Sequence, residues 1–258
     1  MALARVDHLN EEVSDTSGAL SVNFTAFTPQ DNSLLCVFVF YVGNATPGTT
    51  GVLSGGGLTW TRQVISVTGT DGTYSWNEEV WTAPVVTAVS TTLNFANASI
   101  TITDAKVTVS AFSYTGYDTG TPVGGTGTWD TTTDGTGDGT IDAAPATDDA
   151  VVSGRIWVPN GATNTTATAQ TSSTEIHELA GTAGYGNLET QERLSNISTT
   201  VAWNDVNDAG LTGWANQERA AAIVVKVAPS GPPGVPGSGR IKELAALGWN
   251  AGFGRGNF

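Results

Sequence analysis

LTWTRQVISVT (Leu58 to Thr68) and TYSWNEEVWTA (Thr73 to Ala83) are two alternating runs that meet at Thr70-Asp71-Gly72-Thr73. Branching at Cβ suits Thr, Val and Ile to a pleated surface better than to a helix. Asp-Gly supplies the positive φ that a tight hairpin turn requires. The stretch therefore predicts two antiparallel strands.

The same period-two pattern extends in both directions. Upstream lie LSVNFTAF (Leu20 to Phe27) and LLCVFVFYV (Leu34 to Val42). Downstream come TTLNFA, SITIT, KVTVSAFSYTGY (Lys106 to Tyr117), AVVSGRIWV (Ala150 to Val158), TEIHEL, TTVAWN and RAAAIVVKVA (Arg219 to Ala228). About eleven short strands parted by Gly, Pro, Asn and Asp predict an all-β, antiparallel β-sandwich of jelly-roll type. Two longer segments read as loops: Gly120 to Asp149, with Trp129 as its one large side chain, and Asn204 to Gln217 around Trp214. No exact internal repeat stands out.

At Pro229 the character changes. GPPGVPGSG (Gly231 to Gly239) holds three Gly-X-Y triplets, too few for a collagen helix, and predicts an extended polyproline-II spacer. Beyond it, Ile241, Leu244 and Leu247 fall on one face of a short helical patch, followed by the aromatic-glycine tail NAGFGRGNF. That tail has too little apolar surface to order itself. Trp249, Phe253, Arg255 and Phe258 are residue types enriched at the centres of protein interfaces, which predicts docking on another chain. The expected organisation is 1–17 as an N-terminal arm or lead-in, 18–229 as the sandwich, 230–239 as the linker and 240–258 as a C-terminal docking tail.

Composition narrows the function classes. Of 258 residues only 13% are charged, and 24 acids against 10 Lys and Arg leave a net charge of −14. Nucleic-acid binding needs clustered cations, so none is expected. No run approaches the roughly 18 apolar residues of a membrane span, and the N-terminus lacks the apolar core of a secretory signal. Cys36 is the only cysteine, so no intrachain disulfide forms, and its apolar neighbours make it a buried hydrophobe.

Candidate chemistry is sparse. His8 lies in a polar stretch and reads as solvated. Alternation puts Glu175 and His177 on one face of a surface strand and Ile176 and Glu178 on the other. Asp130, Asp134, Asp138 and Asp142 recur at every fourth position and could offer oxygens to calcium, but their order is not that of an EF-hand. An exposed, charged loop without cofactor is the preferred reading. Glu78 and Glu79 are sequential, point to opposite faces and make a poor acid–base pair. Trp76 and Trp81 likewise diverge, so one of them should be core. Trp129 and Trp214 are the better candidates for contact with a sugar or a protein.

GGLTWTRQV (Gly56 to Val64), EEVWTAPV (Glu78 to Val85), VSAFSYTGYDTGTPVG (Val109 to Gly124) and RAAAIVVKVAPSG (Arg219 to Gly231) together resemble a β-sandwich module of tailed-phage virion proteins and phage-derived surface proteins. The resemblance covers about Ser17 to Pro229 and carries no catalytic residue. It implies a jelly-roll-like module of an assembled particle. The expectation is a capsid decoration (cement) or head-fibre protein on the outer capsid surface. Its partners would be the major capsid protein or another virion protein and further copies of itself, as a trimer by analogy. The alternative is a carbohydrate- or receptor-binding module of a tail fibre or adhesin. An extracellular hydrolase lacks an acid–base constellation.

Overall fold

The computed structural model describes residues 2–16, 18–43, 51–65, 69–70, 75–102, 105–131, 139–157, 168–169, 172–180, 187–194, 197–204 and 218–229. The chain divides into two units, Met1–Ala228 and Pro229–Phe258. All regular structure among the described residues is antiparallel β.

The first half of the chain contributes β1 (Ala4–Asp15), β2 (Gly18–Asn23), β3 (Ser33–Gly43), β4 (Val52–Ser54), β5 (Thr61–Ile65), β6 (Gly69–Thr70), β7 (Ser75–Val85), β8 (Asn94–Ile102) and β9 (Ala105–Thr115). The second half contributes β10 (Val123–Thr131), β11 (Gly139–Thr140), β12 (Ala150–Trp157), β13 (Thr168–Ala169), β14 (Thr174–Ala180), β15 (Asn187–Arg193), β16 (Thr200–Val201), β17 (Trp203–Asn204) and β18 (Glu218–Val225). The predicted hairpin is present: β5 and β6 both pair antiparallel with β7, and Thr70 faces Ser75 across the turn residues, which lie outside the described set.

One large sheet runs β1-β9-β3-β7-β5, the other β10-β18-β12-β15-β14. These are the same order. In each half the first strand pairs with the last, the last with the third, and an internal hairpin closes the far edge. The small sheets match as well. In the first half β8 pairs with both β2 and β4, and in the second β16 pairs with β11 and β17 with β13. A bulge falls at the same place in both: between Arg62 and Val64 on β5, and between Glu175 and His177 on β14. The chain is thus a tandem of two sandwiches. Each large sheet draws on one half of the chain only, so these pairings do not trace a single jelly roll. The repeat left no exact sequence signal because a strand scaffold constrains alternation and bulge position far more than residue identity.

Residues in the two halves can be matched through the ladders. Leu34 pairs with Tyr114 as Ala150 pairs with Val225, and all four lie in one apolar cluster. Val37 pairs with Trp81 as Ser153 pairs with Gln191. It follows that Glu79 corresponds to Glu189, Val80 to Thr190, Val64 to His177 and Ala221 to Ser110.

Three packed layers explain the apolar run of β3, whose residues are all buried. Leu35, Val37, Val39 and Tyr41 face the small sheet of their own half, packing on Leu20, Val22, Leu53, Leu93 and Phe95. Leu34, Cys36 and Phe38 face the other large sheet, meeting Ala150, Val152, Ala221, Ile223 and Val225. A strand covered on both sides has no reason to alternate in polarity. Each such side chain contributes roughly 1.5–3 kcal/mol by leaving water. At one end of the seam Phe40, Val42 and Trp76 pack on Ile156 and Leu188. Gly154 allows the close approach: a Cβ there would sit 2.4 Å from Glu78 Oε1 and 2.5 Å from Phe38 Cδ1. Beyond the second large sheet, Val151, Ala222 and Val224 are covered by Ile141, Val201, Ile197 and Trp129.

Contacts across the seam are reciprocal. β1 meets β14 and β10 meets β5, while β9 meets β15 and β18 meets β7. That is the pattern of a twofold dimer, realised here within one chain.

Two expectations change. Residues 4–15, expected within an arm or lead-in, form β1, which pairs with β9 along its whole length. Its half-buried side chains are held by the seam: Asn10 Nδ2 donates to the Glu178 carbonyl at 2.9 Å, and Arg5 reaches Glu192. Val123–Thr131, within the segment Gly120 to Asp149 expected as a loop, forms β10, paired with β18. Glycine and threonine at that density still extend when a neighbouring strand supplies the ladder.

Candidate functional site

The seam gathers the polar chemistry of the described residues at one edge, where β1 and β9 meet β14 and β15. Ser110 Oγ lies 2.8 Å from His177 Nδ1 and 3.0 Å from Thr190 Oγ1. On the far side of β9, Ser113 Oγ lies 2.8 Å from His8 Nε2, and the His8 ring stacks on Phe27 at 5.3 Å. Neighbouring them, Glu192 takes Arg5 Nη1 at 2.6 Å and the Tyr114 hydroxyl at 2.6 Å, and Arg5 Nε also reaches Asp7 at 2.7 Å.

Both histidines are therefore half-buried and bonded, not solvated. The bulge on β14 accounts for His177. It puts Ile176 in the seam cluster while turning His177 toward Ser110 and to within 6.4 Å of the Phe112 ring, so strict alternation fails there. Burial lowers the His177 pKa below its ordinary 6.5, with Asp7 pulling it up and Arg5 pushing it further down. Burial also lowers that of His8, with Asp7 opposing and His177 adding to the fall. The Tyr114 hydroxyl is held far above its usual range by burial and then by the Glu192 charge.

A serine beside a histidine is the start of a nucleophilic site, but a nucleophile must be reachable. Ser110 and Ser113 are both at 0% exposure. Their hydroxyls join strands across the seam and along the β1 edge.

The buried acids sit where alternation put them, on opposite faces of β7. Glu78 lies in the seam and Glu79 in the core of the first sandwich, and burial raises both pKa values. Glu79 accepts from Gly51 N at 2.8 Å and Trp81 Nε1 at 3.0 Å, and Arg62 Nη1 stands 3.6 Å away over the Trp81 ring. Its counterpart Glu189 is buried opposite Arg155. Each sandwich so carries a core carboxylate with a guanidinium nearby, brought from β5 in one and set across from it on β12 in the other. Trp76 and Trp81 do diverge, one into the seam and one into the first core, and both are buried because both faces are covered. Cys36 is fully buried, and burial pushes its thiol up.

The predicted contact residues separate into two groups. Trp129 stands on a strand, half-buried against the outer core of the second sandwich and over Gly139. Asp142 accepts from Thr126 N at 2.7 Å, which commits it to the loop after β11. Asp130 lies on β10. Asp134, Asp138, Trp214, Ile241, Leu244, Leu247, Trp249, Phe253, Arg255 and Phe258 lie outside the described residues. Among the described residues no group of three His, Cys, Asp or Glu is placed to hold a metal, and no helix is long and apolar enough to cross a membrane. An open groove of ≈450 Å³ beside the start of β1 is lined by Ala2, Leu3, Asp148 and Leu194.

Sequence reasoning missed Ser110, Ser113, Thr190, Arg5, Tyr114 and Glu192. Their partners lie in other strands far along the chain, and no local motif marks them. No protein-family model, curated protein or solved structure matches the chain.

Proposed function

We propose that this chain is a structural protein of a virus particle, a capsid decoration (cement) or head-fibre protein of a bacteriophage. The observation that carries this reading is the division at Ala228. On one side stands a tandem sandwich whose hydroxyls, carboxylates and histidines bind one another across the seam and in the cores. On the other is a segment of spacer and docking composition, Gly/Pro followed by aromatics and Arg255. The sandwich acts as a rigid body facing outward, and the tail fastens it to the major capsid protein or bridges neighbouring capsomers. Many such contacts oppose the pressure of packaged DNA, and a net charge of −14 suits a protein that does not engage the genome itself. Self-association, as a trimer, belongs to the same proposal.

The test is deletion of Gly231 to Phe258. The truncated chain keeps its denaturation midpoint and circular dichroism spectrum but no longer sediments with capsids lacking the protein. Wild-type binding by the truncation refutes the docking role. The glycan-reading alternative rests on Trp129, half-buried against the outer core of the second sandwich, and on Trp214. A glycan array probed with the full chain is expected to be flat, and binding lost in Trp214→Ala would restore the adhesin reading.

A further inference from the structure

Ala2 and Ala228, near the two ends of the Met1–Ala228 unit, lie side by side against Gly116. Val85, Ser33, Thr115 and Ala4 form the last rung of the first large sheet, across β7, β3, β9 and β1. Just past that rung a Cβ on Gly116 would sit 2.4 Å from the Ala2 carbonyl oxygen, and the Gly116 carbonyl accepts from Ala228 N at 2.8 Å. The place where the chain departs is braced. Tyr117 bridges to Val227, whose amide donates to the buried Asp149 at 3.0 Å.

The surface around this exit is apolar with an acidic rim. Val86, directly after the rung, is 77% exposed, the most exposed large apolar side chain among the described residues. Val89 is exposed in the same connection, which Ala88 N pins to the Asp31 carboxylate. On the other side of the exit the exposed Leu194 walls the open groove with Ala2, Leu3 and Asp148. Asp31 and Asp148 are exposed, whereas Lys226 turns to Thr121 and Asp118. Apolar side chains gathered within a charged rim have the composition of an interaction surface.

We propose that this end of the sandwiches is a second docking surface, which packs on the same virion protein that grips the tail and meets its apolar and basic side chains. The inference rests on the reading of 240–258 as a docking tail. Reach selects the occupant. Residues 230–239 span at most about 35 Å however they run, so a protein holding the tail stays that close to Pro229. Tethering presents it to the end face at about millimolar concentration, enough for a weak contact to close. Two linked contacts also fix the orientation of the sandwiches, which a flexible tether alone leaves free. A second copy of the chain gains this advantage only by holding the tail itself.

Photo-cross-linking of the full chain on capsids lacking the protein tests this. Cys36 is fully buried, so a benzophenone maleimide labels only the cysteine introduced by Val86→Cys or Val52→Cys. Val52 is also exposed but lies on β4, away from the exit. Light should join the Val86→Cys chain to a capsid protein and leave the Val52→Cys chain uncoupled. In parallel, Val86→Glu combined with Leu194→Glu should weaken co-sedimentation at least tenfold at an unchanged denaturation midpoint, and Val52→Glu should not. Three results overturn the surface while the tail reading stands: a Val86→Cys link that is absent or only to another copy, equal linking from Val52→Cys, or parent-like binding by the double variant. A parent chain that does not sediment with capsids overturns both.

Discussion

The two ends of the seam between the large sheets occupy matching places in the tandem but are built from different chemistry. At one end Val64 and Val80 pack beneath Ala221 through apolar side chains, with Glu78 buried next along the same face of β7. At the other the corresponding residues are His177, Thr190 and Ser110, which bond one another. The comparison teaches that a sheet-on-sheet interface is indifferent to polarity so long as the whole set changes together. A single mismatched group is what it penalises, since a buried donor or acceptor without a partner keeps its full desolvation cost.

The largest effect is expected where both ends share a residue. Phe112 packs on Phe38, Tyr114 and His177, and Phe112→Ala should cost about 3–5 kcal/mol in chemical denaturation. A cost as small as that of a surface substitution would remove the seam from the stability of the fold. Next, Gly154→Val drives a Cβ into Glu78 and Phe38, for a loss of about 1–3 kcal/mol that Gly154→Ala should share in part. Then come the mismatches. Val80→Thr places a lone hydroxyl in the apolar end, and Ser110→Ala strands His177 Nδ1, each at about 1–3 kcal/mol. Changing the set together, as Ser110→Ala with His177→Val and Thr190→Val, should leave stability within about 1 kcal/mol of the parent. A triple variant that loses the sum of its single costs would show that the two ends are not equivalent.

The smallest effect separates the ends by pH. His8 and His177 have folded pKa values below 6.5, so the unfolded chain binds more protons as pH falls through that value. The histidine contribution is therefore complete above 6.5 and is lost progressively below it, toward the lowered folded values. Glu78 and Glu79 act in the opposite sense. With folded values raised above 4.5, they favour the fold most at low pH and lose that contribution as pH rises through the raised values. Replacing His177 with Val, the residue at the matching place, should flatten the fall below pH 6.5 in urea midpoints recorded against pH. An unchanged slope would assign it to His8 alone.

Much of the fold was legible in the chain. Alternation placed most of the long strands, though not β1, β10 or β15, and the Asp71-Gly72 signal gave the β6–β7 hairpin. The continuous apolar run of β3 carried a further message, coverage on both faces, that reading it as one alternating strand did not extract. The sites were less legible. His177 was noticed but assigned to a surface, because a bulge cannot be seen from spacing. Ser110, Thr190 and Glu192 have no signature at all, because their partners lie on other strands.

By itself the sequence determined an antiparallel β protein with few charges, a buried thiol and a tail of distinct composition. These follow from backbone propensity and the partition of side chains between water and core, which each residue and its near neighbours decide. Only tertiary structure decided that the strands form two sandwiches of one design set face to face, and that serines and histidines far apart in the chain share hydrogen bonds. Pairing between distant strands is chosen by the fit of whole faces, and no window of sequence contains a whole face.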